Sequence, residues 1–187
     1  MQQSAQLLTT GNWWLNIWIQ PRAVIQDVLE TNPNLYIIPI TLLGGCLQGW
    51  SYGLVGMLFG LALAIPGLYL SAFLVRWFGE HWFGGTGSGE NIRAALVWGG
   101  WVPNIQVDVL FFVLTLISSV LAVNFSVELF SPLTLAQLYF AFKIWVWVIS
   151  LKAIGEAHDF SSLLALLTQL TIAALFAVPL FLFSVLF

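Results

Sequence analysis

Charge is nearly absent from this sequence. Five Lys or Arg and eight Asp or Glu are spread over 187 residues, whereas roughly a quarter of an ordinary globular chain is charged. Such a chain could not coat its own surface in water. The net charge of −3 supplies no basic field, which excludes a nucleic-acid binder. Cysteine is as scarce: Cys46 stands alone, so no disulfide can form within the chain, and in its apolar run it reads as a small buried hydrophobe. No basic stretch precedes the first apolar segment, so a cleaved signal peptide is not expected and insertion falls to internal spans. Also missing at membrane depth is any Ser/His, paired-Asp or His-rich set. The expectation is therefore no enzyme, no metal and no cofactor.

What is present is apolar. Hydrophobic residues make up 60% of the chain, with fifteen Phe, ten Trp and sixteen Gly, and the mean hydropathy is +0.95. The solvent of this protein must be largely lipid. Two regions are expected: residues 1–34, an N-terminal Trp-rich interfacial segment with an amphipathic helix, and residues 35–187, a five-span transmembrane domain. In the first, Trp13, Trp14 and Trp18 suit the headgroup boundary. Pro21 then opens a helix with Ala23, Val24, Ile25, Val28 and Leu29 on one face and Arg22, Gln26, Asp27 and Glu30 on the other. Asn32-Pro33-Asn34 stops it, and the helix is read as lying in the interface.

From Leu35 to Phe78 the only charge is Arg76, and the run is too long for one crossing of about 20 residues. Gly49-Trp50-Ser51-Tyr52-Gly53 is the natural turn. It gives spans at 35–49 and 54–78, with Pro39 and Pro66 inside them. A third span at 92–123 is broken near Gly99-Gly100-Trp101-Val102-Pro103, with a kink expected at Pro103. Further spans fit 133–153 and 163–187, the last carrying Pro179. Arg22, Arg76, Arg93 and Lys152 then fall on one side, which by the positive-inside rule puts the N-terminus in the cytoplasm and residue 187 outside. Gly45/Gly49 and Gly56/Gly60 are small-xxx-small steps, candidate faces for a protein partner or a second copy.

Asp108 and Lys143 are the informative pair. Each is a lone charge in an apolar run on consecutive antiparallel spans, about 21 Å and 15 Å from their shared outer ends. An unpaired charge there costs several kcal/mol, so partnership is expected, with Gln106 or Gln169 completing the hydrogen bonds. Two roles compete: a buried pair that fixes the register of two helices, and a polar site for an ion, a proton or a lipid headgroup. Glu156, His158 and Asp159 form a second polar cluster just after the fourth span. It is read chiefly as a solvated cap, with Asp159 or Ser161 capping the next helix. The loop Gly85-Thr86-Gly87-Ser88-Gly89 lacks both the P-loop ending and the nucleophile-elbow spacing, and is read as a flexible turn before a helix near Glu90. His81 beside Trp82 reads as interfacial. Asn124-Phe125-Ser126 is a glycosylation sequon on the outward loop.

Three blocks together resemble the Yip-domain (Ypt/Rab-interacting protein) membrane proteins, in particular their prokaryotic branch. They are Trp18-Ile19-Gln20-Pro21-Arg22; Gly87-Ser88-Gly89-Glu90-Asn91-Ile92-Arg93-Ala94-Ala95-Leu96-Val97-Trp98 followed by Val102-Pro103; and Trp147 to Leu151 leading to Gly155-Glu156-Ala157-His158-Asp159-Phe160-Ser161. The resemblance implies an all-α membrane bundle with a cytoplasmic N-terminus in a bacterial plasma membrane. It also implies a membrane-organising or partner-binding role, with membrane lipids as companions. Eukaryotic relatives are associated with Rab-type GTPases. This chain has neither their long polar N-terminal region nor an Asp-Leu-Tyr-Gly-Pro motif, which removes the grounds for a GTPase partner. The alternative expectation is a small transporter, channel or lipid-moving protein built on Asp108 and Lys143.

Overall fold

The computed structural model describes residues 13–125 and 131–186, and every element among them is helical. In chain order these are α1 (Trp13–Asn16), α2 (Pro21–Thr31), α3 (Ile37–Gly49), α4 (Gly53–Phe83), α5 (Gly89–Leu96), α6 (Val102–Phe125), α7 (Pro132–His158) and α8 (Ser162–Leu186). Four stretches are long and apolar enough to cross a membrane: Ile37–Phe83, Gly89–Val123, Pro132–His158 and Ser162–Phe181. The first folds back on itself through a 3-10 turn at Trp50–Tyr52 and Gly53 at φ +72°. It is therefore the α3–α4 hairpin, and the protein is an all-α, multi-pass membrane bundle. Asn124 and Phe125 of the sequon end α6, while Ser126 and the rest of the loop at 126–130 lie outside the described residues.

Glycine makes the hairpin. A Cβ on Gly60 would sit 2.0 Å from the carbonyl oxygen of Gly45, and one on Gly49 would sit 2.1 Å from that of Gly56. The two small-residue steps thus face each other within one chain, packed backbone to backbone. This corrects the expectation that they serve a second copy or a partner: the faces are already occupied. At about 1.5 Å per residue α3 measures about 20 Å, less than the roughly 30 Å hydrocarbon layer. Its partner α4 measures about 46 Å on the same scale and runs well past it.

The third span is three pieces. Ser88 caps α5, accepting from the Asn91 amide at 3.1 Å, and Glu90 follows in the first turn, favourable to the helix dipole. Between α5 and α6 the chain widens into a π-helical segment at Val97–Trp101. The irregularity thus lies before Pro103, at Gly99-Gly100, not at the proline. The backbone packs closely here: a Cβ on Gly99 would meet the Ala153 Cβ of α7. Beyond it, α7 starts from Ser131, whose hydroxyl accepts from the Thr134 amide, with Pro132 at the first helical position.

The N-terminal helices dock on the bundle. Val24, Ile25 and Val28 of α2 are fully buried, and α2 packs on α7 and α5. Arg22, Gln26 and Glu30 face outward. Trp13 is 1% exposed and donates to Asp27, and its ring meets Trp98 edge-on at 5.4 Å. Trp13 therefore belongs to the protein core and not to the lipid boundary expected of it. Arg22 donates to Ser162 at the start of α8, and His158 at the end of α7 lies against Gly79 of α4 and Gly85. The ends of α4 and α7 and the starts of α2, α5 and α8 thus share one end, which holds Arg22, Arg76, Arg93 and Lys152. The core concentrates in that half. Toward the hairpin end Leu54, Phe59, Phe112, Leu116, Phe140 and Phe181 are exposed, as lipid-facing residues are.

Candidate intramembrane polar site

Two helices supply the site at matching intervals. Asn104 and Asp108 lie one turn apart on α6, Tyr139 and Lys143 one turn apart on α7, so each pair shares a helix face. Lys143 Nζ donates to Asp108 Oδ1 at 2.7 Å and to Asn104 Oδ1 at 2.8 Å. Tyr139 Oη donates to the same Asp108 oxygen at 2.9 Å, and the lysine ammonium lies 5.0 Å from the Tyr139 ring centroid. Asn104 is itself oriented, its amide nitrogen donating to the Gly100 carbonyl at 2.8 Å. That carbonyl belongs to the π segment, so the widened turn and the ion pair share Asn104 as a hydrogen-bond partner.

Both charges thus have partners in a low-dielectric setting, where charge-assisted bonds are strong and unpaired ions are costly. The pair is not sealed. The side chains of Lys143 and Asp108 are 27% and 29% accessible. Beside them runs a cleft of about 400 Å³ lined by Asp108, Phe111, Phe112, Thr115, Leu135, Ala136 and Tyr139. Both protein bonds to Asp108 fall on Oδ1, and among the described residues Oδ2 accepts none.

The expected helpers are elsewhere. Gln106 accepts from Trp18 Nε1 at 2.6 Å and donates to the Trp14 carbonyl at 2.8 Å, while Gln169 accepts from Trp147. Asn104 and Tyr139 take the roles assigned to the glutamines. Gln106 instead clips the N-terminal segment onto α6, and Trp145 donates to the Trp18 carbonyl from α7. Gln106→Leu should leave that indole and carbonyl unpaired and speed hydrogen exchange across residues 13–31 about tenfold. Exchange within α8 should stay unchanged, which mass spectrometry on the detergent-solubilised protein would read.

Glu156, His158 and Asp159 do not gather into one solvent-facing cluster. Glu156 is half-buried, and Asp159 is exposed at φ +58° as the cap of α7. His158 turns inward and is fully buried. Its ring stacks on Phe160 at 4.8 Å, and Nε2 lies 3.2 Å from the Val75 carbonyl, so that nitrogen carries the proton and donates. A Cβ on Gly79 or Gly85 would come within 2.6 or 2.4 Å of the ring, and the Thr86 amide donates to the His158 carbonyl at 3.0 Å. The glycine loop read as a flexible turn is thus wrapped around a buried histidine. Ser161 caps α8, accepting from the Leu164 amide. Among the described residues no group of three His, Cys, Asp or Glu could hold a metal ion.

A family model described as the Yip1 domain matches residues 15–185, nearly the whole chain. No curated protein and no solved structure matches it.

Proposed function

The chain belongs to the Yip1 domain family, and from that premise we propose that it is a non-enzymatic membrane-organising protein. It holds a partner within the plane of the bilayer at the α6–α7 cleft. One observation carries this reading: the Asp108–Lys143 pair is about a quarter accessible beside an apolar cleft. A pair serving only to lock the register of two helices gains nothing from an open edge. An apolar partner segment with one hydroxyl or amide would cover Phe112 and Tyr139 and offer Asp108 Oδ2 a donor. In this reading the basic end faces the cytoplasm of a bacterial plasma membrane, with the C-terminus outside, because Arg22, Arg76, Arg93 and Lys152 gather there.

A second reading is favoured by the exposure of Lys143 at mid-depth: the cleft passes a lipid headgroup or ion from one leaflet toward the other. Photo-crosslinker at Phe112 or Ala136, used in intact membranes, separates the two. The partner reading expects a discrete protein adduct and recovery of that partner in fixed stoichiometry from mild detergent. Repeated recovery of the lone monomer would count against it. Lipid scrambling or ion flux in reconstituted vesicles, lost in Asp108→Asn, would favour the second reading.

A further inference from the structure

Arg76 of α4 and Arg93 of α5 converge at the basic end. Their Nη1 atoms lie 3.8 and 3.6 Å from the position a Cβ on Gly89 would take, so two guanidinium groups border one spot. Arg93 is held in place by the Tyr69 ring, 4.8 Å from its centroid, and has no carboxylate partner among the described residues. Arg76 meets Glu80 through Nε at 3.4 Å, with both side chains over 40% exposed, an ion pair of modest strength. Its Nη1 edge is the one turned toward Gly89.

The level of this spot in the bilayer follows from α4. From Gly53 at the hairpin end to Arg76 the helix rises about 34 Å, roughly the thickness of the hydrocarbon layer. Arg76 therefore sits at headgroup height on the far side. Leading away from it toward the membrane centre, Phe73 and Tyr69, three and seven residues back, lie on the arginine's side of α4 with Leu70 beside them, and the three are 61%, 51% and 57% exposed. The other flank of the helix, with Leu68, Ala72 and Val75, is buried in the bundle, so Arg76 stands at the border between the two. Cations at headgroup height stand above a lipid-facing apolar strip.

We propose that Arg76 and Arg93 bind the phosphate of an anionic phospholipid in the leaflet at the basic end, with an acyl chain lying along Phe73 and Leu70. Guanidinium pairs suit phosphate oxygens, which they engage bidentately. Glu80 and the neighbouring Glu90 limit the local positive charge. That favours a singly charged phosphodiester anchored by its chains over a free phosphate dianion. The site depends on the membrane placement of the helices and not on the α6–α7 reading.

Native mass spectrometry of the full chain in mild detergent tests it, with phosphatidylglycerol, phosphatidylethanolamine and phosphatidylcholine offered in turn. Phosphatidylglycerol should be retained about tenfold better than phosphatidylcholine. Arg76→Gln/Arg93→Gln should lose that preference, while Lys152→Gln at the same end should keep it. Should the double variant not fold, Glu80→Gln, which removes an opposing charge, should raise phosphatidylglycerol retention. Equal retention of the three lipids, no change on removing both arginines, or displacement of the lipid by inorganic phosphate at matched concentration would overturn the proposal.

Discussion

Lys143→Met should cost about 3 kcal/mol of stability, and adding Asp108→Asn to it should return most of that loss. The single substitution leaves an aspartate carboxylate mid-membrane with the Tyr139 hydroxyl as its remaining protein donor. Removing one member of a buried ion pair typically costs 3–5 kcal/mol because the other is left uncompensated. The partial accessibility of both side chains places the expectation at the lower end. Asp108→Asn alone should cost less, about 1–2 kcal/mol, because the lysine keeps the Asn104 oxygen and gains an amide oxygen in place of the carboxylate. With both charges gone, Tyr139 can still hydrogen-bond to an asparagine and the methionine packs among apolar neighbours. The double variant should therefore lie within about 1 kcal/mol of the parent. Steric-trap unfolding in bicelles measures all four corners of this cycle. Additive losses would mean that the 2.7 Å contact carries no coupling energy.

The same pair shows how far sequence reasoning reaches in such a chain. Asp108 and Lys143 were legible because each interrupts an apolar run, and the rise per residue sets both at similar depth on adjacent antiparallel helices. Asn104 and Tyr139 were not singled out. Their spacing from Asp108 and Lys143, one turn in each case, was the available signal, but it names a partner only once the rotation of α6 against α7 is known. Gln106 lies two residues from Asp108 and so faces elsewhere, toward the N-terminal segment. Trp13 is placed differently for a related reason, and the partner of Trp18 was equally hidden. An indole ring suits the headgroup boundary and a polar-lined protein crevice equally well, and the Asp27 and Gln106 acceptors that decide between them are 14 and 88 residues away. The inward turn of His158 was hidden too, because the glycines that make room for its ring, Gly79 and Gly85, look like ordinary loop and helix-end residues in one dimension. The apolar runs and their breaks, by contrast, marked the order of the long helices, though not the division of the 92–123 run into α5, a π segment and α6.

The hairpin glycines yield the other large effect, and they separate packing within a chain from association between chains. Gly60→Ala should destabilise the protein by about 3 kcal/mol. The new methyl would meet the Gly45 carbonyl oxygen at 2.0 Å, and no side-chain rotation can relieve a clash between a Cβ and backbone. Two helices must move apart along their line of closest approach, losing the contacts at Gly49 and Gly56 as well. Gly67→Ala on the same helix is the matched comparison. Its Cβ would have nothing within 4 Å, and alanine is the better helix former by up to about 1 kcal/mol, so this substitution should be neutral or stabilising. If the small-residue faces joined two copies instead, the damage from Gly60→Ala would shrink on dilution, as a dimer contributes less to stability at low protein-to-detergent ratio. A contact within one chain predicts the same loss at every dilution. Thermal unfolding across a series of protein-to-detergent ratios reads the difference, and a dilution-dependent loss would return these glycines to the role of an oligomer face.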